Sequence, residues 1–102
     1  MSGIGSLYDL GLDQFRKIAV WSKGHEIVGF DKTEWRRDDF GNILCYSDHG
    51  NRQSEHGWEI DHIVPTALSG SDDISNLRPL HCAANAGLGG LLGNLRRSSD
   101  RH

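Results

Sequence analysis

Between Trp58 and Pro65 the chain reads Trp-Glu-Ile-Asp-His-Ile-Val-Pro, and this run limits the possible folds more than any other. Trp58, Ile60 and Val64 fall on one side of a period-two pattern, which predicts a strand over 58–64, and Pro65 suits its end. Ser69-Gly-Ser-Asp-Asp73 is a turn cluster. Ser75-Asn-Leu-Arg-Pro-Leu80 then reads as a second extended piece, because the residue before Pro79 is driven away from helical dihedrals. From Cys82 to Leu88 an alanine-rich run suits a short helix that Gly89-Gly90 would stop. Strand, loop, strand and helix in this order make a compact ββα unit.

The rest of the chain is less patterned. Ser6-Leu-Tyr-Asp9 has the hydroxyl and following acid of a helix start, and Leu7, Leu10, Phe15 and Ile18 share roughly one helical face, with Gly11 weakening it. Residues 19–57 are rich in Gly, Asp, Asn and Ser around the isolated apolar anchors Trp21, Phe30, Trp35 and Phe40. This composition predicts short strands and irregular loops wrapped about a small core. The expected fold class is α+β: a single small domain with a ββα motif, an irregular N-terminal region and a short N-terminal helix. The expected division is a helical extension over 1–18, the main domain over 19–90 and a basic tail over 91–102. With 102 residues, the core is thin for its surface.

Composition bounds the function. Apolar content of 36% with 25% charged residues fits a soluble domain, and no apolar run is long enough to cross a bilayer. The opening Met-Ser-Gly-Ile-Gly-Ser lacks the basic and apolar regions of a secretory signal, so a cytoplasmic location is expected. Cys45 and Cys82 form no Cys-x-x-Cys and read as free thiols, with one disulfide left open. A net charge of −3 counts against a general nucleic-acid binder, whose affinity comes largely from cations on phosphates. The charge is uneven, however. Arg96, Arg97 and Arg101 cluster near the end, and Arg36, Arg37 and Arg52 offer a basic rim.

The chemistry concentrates at Asp61-His62. A carboxylate can hold a hard cation, a neutral imidazole can take a proton from water near pH 7, and the amide of Asn85 can give the same cation a second oxygen. Those are the parts of metal-assisted phosphodiester hydrolysis. Adjacent residues of a strand point to opposite faces, so Asp61 and His62 serve one centre only if the strand ends or bends there. As a bare pair they would be a surface acid and histidine.

The surrounding residues change that balance. The segment GWEIDHIVPTALSGSDDISNLRPL, followed by Asn85, resembles the HNH endonuclease family in its small bacterial members. Trp35 with Arg36, and Gly50-Asn-Arg52 ahead of Gly57-Trp58, are similar to the upstream part of that subfamily, so the resemblance covers roughly residues 19–89. It implies a ββα-metal fold and cleavage of DNA, or of RNA, to 5′-phosphate and 3′-hydroxyl ends. His62 matches the general base. Asp61 and Asn85 match the metal ligands. Asn76 matches the middle asparagine, which ties the inter-strand loop and supports His62. One carboxylate and one amide oxygen suit Mg²⁺ or Mn²⁺ better than Zn²⁺.

His81 stands four residues before Asn85 and is a third candidate ligand if the helix starts early; the ligand count favours a place at the edge of the site. Family members often begin a zinc-binding Cys-x-x-Cys at that position, but Ala84 occupies its second cysteine place. A zinc cluster of His81, Cys82 and His62 is a weaker alternative. Arg52, Arg78, Arg96 and Arg97 are candidates for phosphate contacts, although Arg78 by a strand end also suits pairing with an acid such as Asp72 or Asp73. His25, His49 and His56 lie in polar stretches where solvated histidines are the default, and the three tryptophans read as core fillers.

One departure weighs against activity. Where related chains follow the last asparagine with basic residues, this one reads Asn85-Ala-Gly-Leu-Gly-Gly90, so Ala86 and Leu88 remove two charges from the expected DNA face. The alternative to an endonuclease is therefore a catalytically weak or inactive HNH-like module that binds nucleic acid or a protein partner. A purely structural zinc domain would need thiol ligands the chain scarcely has. Oligomeric state is not legible.

Overall fold

The computed structural model describes residues 2–85, which form an α+β fold. Helix α1 (Ser2–Trp21) leads into three short strands, β1 (His25–Glu26), β2 (Trp35–Arg37) and β3 (Ile43–Cys45), paired antiparallel in that order. After a 3₁₀ turn at Tyr46–Asp48 the chain reaches β4 (Trp58–His62) and β5 (Leu77–His81), an antiparallel pair whose connection holds 3₁₀ turns at Thr66–Leu68 and Ile74–Asn76. Residues 82–85 are helical and follow β5 directly, which gives the expected β, β, α order.

Helix α1 is longer than the sequence suggests. It starts at Ser2 rather than at Ser6, and it continues three residues beyond Ile18. Of the expected apolar face, Phe15 is 75% exposed and Ile18 53%, whereas Val20 and Trp21 are buried; the side chains of Leu7 and Leu10 lie outside the described residues. The helix docks through its last turn, so the position where an extension was expected to give way to the main domain lies inside α1. Spacing alone put Phe15 and Ile18 inward, but among the described side chains of the helix the core takes in only Val20 and Trp21.

The core is a cluster of Val20, Trp21, Leu44, Trp58 and Leu77, with Tyr46 and Ile60 packed against it. Trp21 and Trp58 lie 5.0 Å apart between ring centroids, and Tyr46 stands edge-on to Trp21 at 5.3 Å. Each indole N–H finds a carbonyl, Trp21 on Lys32 at 3.0 Å and Trp58 on Tyr46 at 3.1 Å, so neither ring is buried at the cost of a lost hydrogen bond. Full burial of such a side chain stabilises by about 2–3 kcal/mol.

Two carboxyl- and guanidinium-bearing residues are buried for structural reasons. Asp38 accepts hydrogen bonds from the backbone N–H groups of Phe40, Asn42 and His81 and from the Asn42 amide, which ties the β2–β3 turn to the end of β5. Arg36 donates to the carbonyls of Lys32, Ser22 and Gly24, fastening the end of α1 to β2. Arg36 is thus committed to the fold and is not part of an open basic rim. Close backbone approach fixes two glycines: a Cβ on Gly57 would stand 1.9 Å from the Asn51 oxygen, and one on Gly70 would stand 1.7 Å from the Val64 oxygen.

Candidate active site

Strand β4 ends at His62, two residues earlier than the periodicity suggests, because the loop takes over its hydrogen bonding. Ile63 N–H donates to the Asn76 backbone oxygen at 2.8 Å, and Val64 N–H donates to the Asn76 side-chain oxygen at 2.9 Å. The Asn76 amide nitrogen donates to Val64 O at 3.1 Å and to Ser71 O at 2.7 Å. One asparagine therefore closes the whole β4–β5 loop immediately after the histidine. Likewise β5 starts at Leu77 rather than at 75, since residues Ile74–Asn76 turn through 3₁₀ geometry first.

The cross-strand register sorts the site residues by face. Asp61 pairs with Arg78, Ile60 with Pro79 and Glu59 with Leu80. Trp58 and Ile60 go to the core, so by the period of two Glu59 and Asp61 share the opposite face with Arg78. His62, the last residue of the strand, turns to the loop. Its Nε2 is 2.7 Å from Asp72 Oδ1, and this contact holds the Asp72 carboxyl below the usual carboxylate range. With Asp72 accepting, Nε2 carries the proton and Nδ1 is the basic nitrogen.

The candidate metal ligands are held from both sides. Arg78 Nε donates to Asp61 Oδ2 at 2.9 Å, with both side chains only 18% exposed, and Arg78 Nη1 lies 3.5 Å from Asp39 Oδ2. Its guanidinium also sits 5.3 Å from the Phe40 ring centroid. Arg78 thus takes an acid partner, but the partners are Asp61 and Asp39, not Asp72 or Asp73. Asn85, on the helical turn, donates its amide nitrogen to Glu59 Oε1 at 2.8 Å. Glu59 in turn receives Arg52 in a two-point contact, Nε on Oε2 at 2.7 Å and Nη2 on Oε1 at 2.9 Å. Arg52 first, then Asn85, keeps the Glu59 carboxyl below its ordinary range against the opposing effect of burial.

Glu59 is the site residue that sequence reading did not single out. The signal was available: it lies two residues before Asp61 and so on the same face of a strand. His81 goes the other way. Its Nε2 donates to Glu55 O at 2.7 Å and its Nδ1 accepts from Ala83 N–H at 3.0 Å, so both ring nitrogens are engaged away from a cation. Cys82 is buried, its thiol pushed up by burial and then by Glu59. No group of three or more His, Cys, Asp or Glu side chains is placed to hold a metal among the described residues, which speaks against the mixed His81, Cys82 and His62 zinc cluster.

Among the weaker candidates, His25 pairs with Asp39 at 2.7 Å on the surface. His49 stands edge-on to Trp58, with ring centroids 4.6 Å apart, and is kept below the ordinary histidine range, mainly by burial. Arg96 and Arg97, and Ala86 and Leu88 with the rest of the expected helix after Asn85, lie outside the described residues.

Residues 46–86 match the family model described as HNH endonuclease. That span begins at the 3₁₀ turn before the loop of Arg52 and ends just past Asn85, so it contains His62, Asp61, Asn76 and Glu59 together. The segment is an HNH domain. No curated protein and no solved structure matches the chain. An HNH match suggests nuclease-type or nucleic-acid-binding function; HNH domains generally bind DNA and typically hold one divalent metal. No helix of the described residues is long and apolar enough to cross a membrane.

The residues fit such a metal by donor chemistry. Arg78 engages Oδ2 of Asp61, and Asn85 turns its nitrogen to Glu59, so an Asp61 carboxylate oxygen and the Asn85 amide oxygen are the hard donors on offer. A pair of hard oxygens suits Mg²⁺ or Mn²⁺ better than Zn²⁺.

Proposed function

We propose that the chain is an HNH endonuclease that hydrolyses DNA phosphodiester bonds with one divalent cation. The observation that carries this reading is the placement of His62 at the end of β4, with Nε2 on Asp72 and the adjacent Asp61 on the face that Asn85 approaches. Asp61 and Asn85 would hold the cation, which supplies charge neutralisation at the scissile phosphate and the leaving 3′ oxygen. Nδ1 of His62 takes a proton from the attacking water, and Asp72 stabilises the imidazolium that results. Asn76 acts through the backbone of Ile63 and Val64, holding the ring where the strand leaves it. Family resemblance supports 5′-phosphate and 3′-hydroxyl products, with RNA as the other possible substrate.

A specific observation favours the second reading, a non-catalytic nucleic-acid- or protein-binding module. Asp61 is already neutralised by Arg78, and a cation must share or displace that contact. Nicking of supercoiled plasmid at low salt with Mg²⁺ or Mn²⁺ separates the two. The wild type should cut, and His62→Ala should lose about 100-fold or more of the rate, the scale of a general base. Equal cutting by both would remove His62 from its role. No cutting by a folded wild type would favour the binding module.

A further inference from the structure

The contact between Glu59 and Asn85 has a chemical polarity. An ionised carboxylate has no proton to give, so the amide that meets it must present its NH₂ and turn its oxygen away. Glu59 is kept in that acceptor-only role by Arg52, whose Nε and Nη2 take one carboxylate oxygen each. Oε1 therefore receives two donors, Arg52 Nη2 at 2.9 Å and Asn85 Nδ2 at 2.8 Å. A guanidinium fork is planar and rigid, so it fixes the plane of the carboxylate as well as its position.

Glu59 and Asp61 occupy the same face of β4, two residues apart, and Asn85 reaches that face from the turn after β5. A free asparagine beside a carboxylate-rich strand could present either end of its amide. Here the end that binds cations is selected by a neighbouring residue. The arrangement parallels the way hydrogen-bonded carboxylates fix the orientation of metal-binding histidines.

We infer that Glu59, clamped by Arg52, is the positioning residue that aims the Asn85 amide oxygen at the cation. This rests on the reading of Asp61 and Asn85 as the metal pair. It also gives Arg52 a function other than gripping phosphate: its charge is spent on Glu59, and its contribution reaches the metal through two hydrogen bonds. Glu59→Gln keeps the size of the side chain but lets the new amide offer either end, so the selection is lost.

The test is calorimetric titration of the full chain with Mn²⁺ alone, without nucleic acid, on wild type, Glu59→Gln, Asn85→Ala and the double variant. Thermal melts establish that each is folded. Glu59→Gln should weaken Mn²⁺ binding about 10-fold, the lower end of what such supporting residues contribute. In the Asn85→Ala background the same change should have no further effect, because the amide it acts through is gone. An equal loss in both backgrounds would overturn the inference and make Glu59 a simple electrostatic contributor. Unchanged affinity in Glu59→Gln beside a loss in Asn85→Ala would overturn it while leaving the metal pair standing. Unchanged affinity in Asn85→Ala would overturn the metal pair itself, and this inference with it. Arg52→Gln gives an independent check that leaves Glu59 in place: a smaller loss in the same direction is expected, and none would remove the clamp.

Discussion

At Arg78 the folding role and the functional role compete. Its guanidinium is largely shielded, bonds Asp61 at 2.9 Å and rests against Phe40. Without metal, this pairing is what allows a carboxylate to be nearly buried at the strand end, since an unpaired charge there would be costly. With metal, the same contact draws on the electrons the cation needs. Arg78→Met should therefore have opposite effects in the two states. In chelator the variant should lose about 1–2 kcal/mol, between the values for exposed and buried pairs. Saturating Mn²⁺ should recover most of that loss, and Mn²⁺ should bind the variant more tightly than wild type. Melting curves with and without Mn²⁺ read both effects. A loss that Mn²⁺ does not reduce would mean that Arg78 matters only as packing. Sequence reading found Arg78 and Asp61 separately, because each matched a motif position. It missed that they face each other, since register between two strands is set by the loop that joins them and not by either strand alone.

At the scale of the element, the β4–β5 loop is the part of the site most dependent on a few atoms. Asn76 binds Val64 twice and Ser71 once through its side chain, and Gly70 passes so close to Val64 that any Cβ would collide with backbone. Helix α1 and the turn after it brace the same loop from outside: Arg16 of α1 donates to Asp72 O at 3.1 Å, and Lys23, just past the helix, donates to the carbonyls of Ile74 in the loop and Leu77 at the start of β5. The loop carries Asp72, so its geometry sets the geometry of His62. Asn76→Ala should cost about 1–3 kcal/mol, several part-exposed hydrogen bonds at once, and should lower kcat far more than it raises KM. Gly70→Ala should be at least as destabilising, by overpacking. Thermal melts and steady-state nicking measure these together; an Asn76→Ala enzyme with normal kcat would show that His62 does not rely on the loop. This element was legible because period two, Pro65, Pro79 and the turn cluster all act locally. Helix α1 was legible as a helix but its docked end was not, because only Val20 and Trp21 of its apolar residues with described side chains are buried, and nothing in a helical period marks which end of a helix will dock.

For the whole molecule the question is how a chain of net charge −3 would hold a polyanion. Every lysine and arginine among the described residues already has an intrachain partner. Arg16, Lys23, Arg36 and Arg37 donate to backbone carbonyls, Lys32, Arg52 and Arg78 pair with acids, and Lys17 lies over the Tyr46 ring. Arg52 and Arg78, which the sequence offers as phosphate contacts, are placed on Glu59 and Asp61 instead. Using such a cation on DNA means giving up its present contact, so the net gain per phosphate is small. If the chain binds DNA as proposed, Arg96, Arg97 and Arg101 are the expected main source of grip. Two measurable consequences follow. The slope of log affinity against log salt should be shallow, reflecting about three phosphate contacts or fewer at roughly 0.9 per contact on duplex DNA. Replacing those three arginines with glutamine should remove most of that slope, while Lys32→Gln on the paired surface should barely change it. Titration of a labelled duplex across a salt series decides the matter. A steep slope that survives the triple substitution would mean that the paired arginines do release their acids on binding, with Arg78 leaving Asp61 to the cation as it moves to phosphate.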